Sequence, residues 1–202
     1  GFGATNTAAI MAGGEKSPGS TATDNVESYN GTSFTATTAI NTARGGLGSV
    51  GTQTAGLVFA GDSVNTEIWN GSTWTEVANV SAGNINVFSA GTSTAALEGG
   101  GQGPGGTAVV ATVESWDGSS WTAITDFNTA REKGGGSGTN TDAIFYGGTT
   151  ANGAKTEYYD GTTWTEVADL ATARISGGGA PAGTSSLALY AGGLPSGATT
   201  AT

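Results

Sequence analysis

The chain repeats one short pattern four times: a Glu, an aromatic residue two positions later, an Asn-Gly or Asp-Gly pair, and then a second aromatic residue. The copies begin at Glu27, Glu67, Glu114 and Glu157, and they end at Phe34, Trp74, Trp121 and Trp164. The steps between successive Glu residues are 40, 47 and 43 residues. A period of this length in strand-like sequence indicates a repeat architecture.

The second copy, residues 44–82, shows most clearly what one repeat folds into. It holds the short apolar run 55–60 and two extended stretches, 65–69 and 73–77, separated by Asn70-Gly71. Short runs rich in β-branched and aromatic residues and bounded by Gly or Asn predict strands. Asn-Gly accepts the positive φ that a tight hairpin turn requires. Four antiparallel strands in a unit of this length are typical of one blade of a propeller.

Two further elements recur in register with this pattern. One is a Gly-Gly pair, found at Gly13-Gly14, Gly99-Gly100, Gly147-Gly148 and Gly192-Gly193, and the other is Thr-Ala-Arg, ending at Arg44, Arg131 and Arg174. Together they resemble the kelch repeat of the central domain of galactose-oxidase-like proteins, over essentially the whole chain. The Thr/Ala/Gly-rich composition resembles kelch-type repeats in bacteriophage structural proteins and bacterial surface proteins. Two departures stand out: Gly83 where an Arg is expected, and Asp62 where a second Gly is expected.

The resemblance implies an all-β, kelch-type β-propeller with four-stranded antiparallel blades. We expect one domain over residues 1–202, with blades at 1–43, 44–82, 83–130 and 131–173 and a partial fifth blade at 174–202. The chain would hold about four and a half blades. It begins and stops inside predicted blades, so we expect a fragment of a longer protein, or an assembly in which other chains complete the ring.

Charge and composition exclude several classes of function. The net charge of −10, with only six Lys and Arg residues, argues against nucleic-acid binding, because a phosphate backbone needs a basic face. No apolar run approaches the roughly 18 residues that would predict a membrane-spanning helix, so we expect no membrane insertion. The chain has no His and no Cys, whereas galactose oxidase needs copper ligands that include His and a Cys-linked Tyr. That activity is therefore excluded for this sequence, and we predict neither a metal nor a cofactor.

The repeated charged and aromatic residues are better explained by structural roles than by catalytic ones. One Glu and one Arg per blade cannot all be catalytic, so we expect structural roles for them and for the repeated Trp residues. These structural repeat positions are Glu27, Glu67, Glu114, Glu157, Arg44, Arg131, Arg174, Trp74, Trp121 and Trp164.

The loops between the second and third strands differ in every blade and lie on one face with the connections between blades. Scaffolds place recognition on such variable loops. The binding residues predicted there are Glu15, Lys16, Asp24, Asp62, Gln102, Asn152 and Lys155. We predict a non-enzymatic structural or binding module, extracellular or on a virion surface, that recognises a glycan or a protein surface. The alternative is a glycan-processing enzyme with acids outside the repeat register, such as Asp62 or Asp142, or with its active site in missing blades.

Overall fold

The computed structural model describes residues 1–16, 21–149, 153–181 and 183–195. These residues form four four-stranded antiparallel sheets and two short two-stranded sheets. Helical structure among them is confined to two three-residue 3-10 turns, Pro104–Gly106 and Ser185–Leu187. The predicted all-β class and the predicted four-stranded antiparallel sheets are therefore confirmed. The arrangement is compatible with a β-propeller-like fold.

Each large sheet is built from four strands that follow one another along the chain. Sheet 1 contains β1 (Phe2–Thr5), β2 (Ala8–Ala12), β5 (Val26–Tyr29) and β6 (Phe34–Thr37), with the hairpin β3 (Glu15–Lys16) and β4 (Thr21–Ala22) between β2 and β5. Sheet 2 contains β7 (Gly48–Thr52), β8 (Ala55–Phe59), β9 (Thr66–Trp69) and β10 (Trp74–Val77). Sheet 3 contains β11 (Phe88–Thr92), β12 (Ala95–Gly99), β13 (Val113–Trp116) and β14 (Trp121–Ala123). Sheet 4 contains β15 (Gly135–Gly138), β16 (Ala143–Tyr146), β17 (Thr156–Tyr159) and β18 (Trp164–Glu166), and a last pair is β19 (Arg174–Ile175) with β20 (Leu194–Pro195).

The Asn-Gly and Asp-Gly pairs form the turn between the third and fourth strands of every large sheet. In sheet 2, Oδ1 of Asn70 accepts hydrogen bonds from the backbone N–H groups of Ser72 and Thr73, both at 2.9 Å. Gly71 has a φ of 95°, which glycine adopts without steric cost. Because the side chain closes the turn locally, the turn fixes the register that places Trp74 opposite Trp69.

Asp117 forms the same turn in sheet 3, where its carboxylate makes the turn sensitive to pH. The backbone N–H groups of Ser120 and Ser119 lower the pKa of Asp117 from 3.8 to about 2. A lowered carboxyl pKa stabilises the fold above pH 3.8, and this stabilisation is lost as the pH falls toward 2. We expect Asp117→Asn, which copies Asn70, to be less stable than the wild type at pH 7, with the difference vanishing near pH 2. Urea denaturation across this pH range measures the effect, and a difference independent of pH would contradict it.

The apolar core lies between neighbouring sheets, in layers to which both sheets contribute. Between sheets 3 and 4, for example, Phe88 of sheet 3 packs against Phe145, Tyr159 and Trp164 of sheet 4. Phe127, in the segment that follows sheet 3, belongs to the same layer. Equivalent clusters join sheet 1 to sheet 2 and sheet 2 to sheet 3. In each layer, the two aromatic residues of the repeat pattern, which we call the aromatic pair of a sheet, pack against the preceding sheet. Sheets 2 and 3 are therefore covered on both faces, and burial of this apolar surface stabilises the packing of neighbouring sheets against each other.

The first strands of the large sheets lie side by side in chain order: β1 contacts β7, β7 contacts β11, and β11 contacts β15. A cavity of about 230 Å³ is lined by residues of β7, β11 and β15 and by 177–179 among others. The approach is close, because a Cβ on Gly136 would collide with the ring of Phe145 and with the carbonyl oxygen of Ser89. Glycine at this position is thus required by packing.

Sheet 1 differs from the others because its aromatic pair faces outward. Phe34 is 54% exposed, whereas Trp74 and Trp164 at the same repeat position are each 6% exposed. In the described part of the chain, no large sheet packs against this face of sheet 1. A groove of about 770 Å³ runs along it, lined by β1, Met11, Phe34 and residues 179–181 among others.

Candidate functional site

The loops gather at two opposite ends of the sheets. At the first end, which we call the tip end, each Asx-Gly turn lies beside the loop between the first two strands of its sheet. A Cβ built on Gly71 would lie 3.4 Å from the carbonyl oxygen of Thr54, and a Cβ built on Gly161 would lie 3.1 Å from the carbonyl oxygen of Thr141. The other end, which we call the linker end, holds the loops between second and third strands and the segments that link the sheets. There, backbone hydrogen bonds join Gln102 to Ile85 and Thr149 to Glu132.

The tip end is nearly the same in every sheet. The turns between first and second strands place two Thr hydroxyls 3.1 to 3.5 Å apart, in the pairs Thr5 and Thr7, Thr52 and Thr54, Thr92 and Thr94, and Thr139 and Thr141. This uniformity follows from the requirements of a tight turn. It offers little that would distinguish one ligand from another.

The linker end is different in every sheet. Sheet 1 inserts the β3–β4 hairpin there, sheet 2 has a short loop around Asp62, and sheet 3 has the turn Pro104–Gly106. The predicted residues Glu15, Lys16, Asp24 and Asp62 are exposed, Gln102 is half-buried, and Asn152 lies outside the described residues. Lys155 pairs with Glu166 on β18, so its ammonium group is directed toward an outer strand.

Four residues of the linking segments form a chain of hydrogen bonds around a second, smaller cavity, and we call them the rim residues: Gly46, Asn86, Lys133 and Ser176. The N–H of Asn86 donates to the oxygen of Gly46 at 2.6 Å, that of Lys133 to Asn86 at 2.9 Å, and that of Ser176 to Lys133 at 2.8 Å. All four have φ between 56° and 60°. Each non-glycine residue in this region costs about 1 kcal/mol or more, and such strain concentrates at functional sites.

Polar side chains project around this rim. Glu132 is 6% exposed, and its Oε2 accepts a hydrogen bond from Nδ2 of Asn86 at 3.2 Å. Nζ of Lys133 lies 3.7 Å from the same oxygen. The cavity beside these groups measures about 220 Å³ and includes Leu47, Val87 and Gly134 in its lining. The rim therefore offers an amide, an ammonium group and a hydroxyl next to a small concavity, with the buried carboxylate of Glu132 behind the amide.

Two of the predicted binding residues lie next to the rim. Gln102 pairs through its backbone with Ile85, the neighbour of Asn86, and a Cβ on Gly45 would lie 2.9 Å from Oε1 of Glu15. The structure thus brings Glu15 and Gln102 toward Gly46 and Asn86. The binding residues predicted from the sequence do not include Asn86, Glu132, Lys133 or Ser176. The available signal was that the position two residues after the recurring Arg holds a different residue in each repeat: Gly46, Lys133 or Ser176.

The recurring Arg and Glu residues join neighbouring sheets. Nη2 of Arg44 lies 2.9 Å from Oε1 of Glu67, and Nη2 of Arg131 lies 3.0 Å from Oε1 of Glu157, with all four side chains fully buried. Burial lowers the pKa of Arg131, and Glu157 opposes this shift. The indole N–H groups of Trp74 and Trp164 donate to the carbonyl oxygens of Thr38 and Thr125 in the preceding sheet, at 3.1 and 2.9 Å. Trp121 donates to Oγ1 of Thr66 at 3.0 Å, while Arg174 and Glu27 are exposed.

The structure corrects the position of the missing arginine. The carbonyl oxygens of Arg44 and Arg131 accept hydrogen bonds from the backbone N–H groups of Gly14 and Gly101, both at 2.8 Å. In sheet 2, the equivalent bond runs from the N–H of Gly61 to the carbonyl oxygen of Asn84, also at 2.8 Å. Asn84, and not Gly83, therefore occupies the arginine position. The same bonds make Ala60-Gly61 the equivalent of Gly13-Gly14, so Asp62 follows the pair and is not part of it.

Comparison with known proteins adds no family assignment: no family model matches the chain, and no curated protein matches it. The described residues hold no helix with the length and apolar character needed to cross a membrane. They also hold no group of three or more His, Cys, Asp or Glu side chains arranged for a metal ion.

Proposed function

We propose that this chain is a non-enzymatic binding module whose four sheets are blades of a kelch-type β-propeller. Support comes from the four repeats of Glu, aromatic pair and Asx-Gly turn, and from the side-by-side order of β1, β7, β11 and β15. In this proposal, further blades or other chains of the same assembly cover the outward face of sheet 1. The low content of charged residues, 11%, and the Thr/Ser/Gly-rich surface suit a protein of a virion or a bacterial cell surface.

The rim residues are the binding site in this proposal, and the observation that carries it is their backbone conformation. Glycine would fit all four positions without strain, and sheet 2 does use Gly46. The other three sites instead keep Asn, Lys and Ser at φ of 59°, 60° and 56°. Retaining strained polar residues beside a cavity is expected where their side chains contribute to binding.

The ligand that fits this rim best is a glycan. Sugar hydroxyls both donate and accept hydrogen bonds, and the side chains of Asn86, Lys133 and Ser176 supply both kinds of partner. A protein surface is the less suitable partner, because protein interfaces are usually anchored by large aromatic or Arg side chains. The described lining of the rim cavity contains only small, aliphatic and polar residues.

A glycan-processing enzyme remains the second candidate, but the positions of its proposed acids argue against it. Asp62 lies at the linker end, whereas Asp142 follows the Thr139–Thr141 turn at the tip end. Two carboxylates on opposite ends cannot act on one glycosidic bond. Glu67 and Glu157 are buried in ion pairs. Release of reducing sugar, lost on replacing Asp62 alone, would instead favour the enzyme.

Binding to a glycan array, followed by titration of each hit, tests the proposal. We expect Asn86→Ala to lower the affinity for a hit at least tenfold, because each lost hydrogen bond to a charged or polar partner is worth about 1.5 kcal/mol. Thr92→Ala at the tip end is the matched control and should leave the affinity unchanged. Equal losses in both variants, or hits unaffected by the rim variant, would place the binding site elsewhere.

Lys133→Gly provides a second, independent result. We expect this variant to unfold at higher denaturant, with a gain of about 1 kcal/mol, because glycine relieves the backbone strain. It should at the same time lose glycan affinity, since the ammonium group is gone. Lys16→Gly removes the same charge from β3, and it should bring no gain in stability. A Lys133→Gly protein that is less stable than the wild type would contradict the role of strain at the rim.

A further inference from the structure

The junctions between neighbouring sheets use one arrangement, except where sheet 2 meets sheet 3. In the junction of sheets 3 and 4, Nη1 of Arg131 donates to the carbonyl oxygens of Gly147 and Lys155 at 3.1 and 2.6 Å, and Nη2 donates to Glu157. Arg44 makes the equivalent bonds to Ala60, Asn65 and Glu67 in the junction of sheets 1 and 2. Each of these junctions buries one positive and one negative charge.

The junction of sheets 2 and 3 lacks this positive charge. Asn84 occupies the arginine position, and its Nδ2 reaches only the carbonyl oxygen of Gly100, at 3.5 Å. Glu114 keeps its place as the equivalent of Glu67 and Glu157, and its Oε2 accepts from the N–H and Oγ of Ser81 at 2.9 and 3.0 Å. Glu114 is only 7% exposed. The carboxylate is therefore buried without a guanidinium partner.

A second carboxylate faces the same junction. Glu98 on β12 lies directly opposite Glu114 on β13 in the antiparallel register, so both side chains point to the same face of sheet 3. The equivalent positions in the other sheets hold the apolar residues Met11, Val58 and Phe145. Glu98 is 2% exposed, and its buried Oε1 has no hydrogen-bond partner within the described chain.

We propose that this junction binds a divalent cation, Ca²⁺ by its ligand chemistry, between the carboxylates of Glu98 and Glu114 in the place that arginine occupies elsewhere. Carboxylate and carbonyl oxygens in an irregular arrangement are the ligands that Ca²⁺ accepts. The backbone supplies a further ligand in the carbonyl oxygen of Thr112. In sheet 4, the equivalent carbonyl oxygen is that of Lys155, which accepts hydrogen bonds from both the N–H of Gly147 and Arg131. The carbonyl oxygen of Thr112 accepts from the N–H of Gly100 at 2.9 Å, and the direction from which the arginine would donate stays open.

The charge balance supports a cation over an empty site. Burying two carboxylates without a counter-charge is strongly unfavourable. Protonation of Glu98 would let its O–H donate to Glu114 but would leave the charge of Glu114 buried without a guanidinium, whereas a divalent cation balances both charges.

The test is the response of the full chain to Ca²⁺ after treatment with EDTA, at pH 7.5 and constant ionic strength. We expect millimolar Ca²⁺ to raise the Tm of the wild type by about 5 °C, because a ligand that binds only the folded state stabilises it. Titration calorimetry should give one site per chain. Tb³⁺ at the same site should emit when Trp116, on the same strand as Glu114, is excited.

Two substitutions separate this site from non-specific binding. Asn84→Arg restores the arrangement of the other junctions, so we expect it to raise the Tm in EDTA and to abolish the Ca²⁺ response and Tb³⁺ emission. Glu98→Gln keeps the shape but removes a charge, and it should weaken Ca²⁺ binding at least tenfold. Asp126→Asn removes one exposed charge from the segment between sheets 3 and 4, outside this junction, and should change neither. A wild-type chain without a Ca²⁺ response, or an Asn84→Arg chain that keeps it, would overturn the proposal.

Discussion

Replacement of Arg131 by Ala is expected to lower the free energy of unfolding by about 3–5 kcal/mol, because it leaves the buried carboxylate of Glu157 without its partner. Arg131 and Glu157 are both fully buried, and Arg131 also lies 5.5 Å from the ring centre of Phe88. The substitution thus removes an ion pair, two hydrogen bonds to carbonyl oxygens and a contact with an aromatic ring. Urea denaturation followed by Trp fluorescence measures the loss.

Two controls distinguish the loss of the ion pair from the loss of side-chain volume. Arg174→Ala removes an arginine at the same repeat position that is exposed and has no buried Glu partner among the described residues, so its effect should stay within about 0.5 kcal/mol. Combining Arg131→Met with Glu157→Gln removes both charges but keeps an acceptor for Asn128, and it should recover most of the stability. If the double variant were as unstable as Arg131→Ala, the unpaired charge would not be the cause.

The sequence predicted the fold class and the four-stranded sheets because the features that determine them are local. Asn70 and Asp117 close their own turns through bonds to residues two and three positions ahead, so the Asx-Gly pair identifies each hairpin without tertiary information. The aromatic pairs on either side follow from that register. Whether the sheets close into a ring depends on packing between distant segments, and that part of the prediction stays a proposal.

The functional details were harder to predict because they depend on relations between repeats. The sequence alone suggested Gly83 as the residue in the arginine position, since Ala82 precedes it as Ala43 precedes Arg44. Only the bond from Gly61 to Asn84 establishes the true register. Likewise, Glu98 appears in the sequence as one acid in an apolar run, and strand pairing is needed to place it opposite Glu114. The rim residues are defined by hydrogen bonds between different sheets, which no single repeat contains.

The repeat also allows removal of the second aromatic side chain to be compared at one repeat position in two different surroundings. Trp164→Ala is expected to lower the free energy of unfolding by about 3–5 kcal/mol, the usual cost of removing a large buried aromatic side chain. The Trp164 ring is stacked 5.2 Å from Phe145 and meets Phe127 edge-on at 4.7 Å. Phe34→Ala at the same repeat position should cost less than about 1 kcal/mol in this chain, because Phe34 is 54% exposed.

Chemical denaturation of both variants measures this difference, and it tests the packing rule directly. If the aromatic residue of each sheet stabilises the fold by packing against the preceding sheet, its contribution must depend on whether such a sheet is present. Adding the missing partner, as further blades or as another chain of the assembly, should then raise the cost of Phe34→Ala toward that of Trp164→Ala. Equal costs in the isolated chain would mean that these residues stabilise their own hairpins, and that the contact between sheets contributes little.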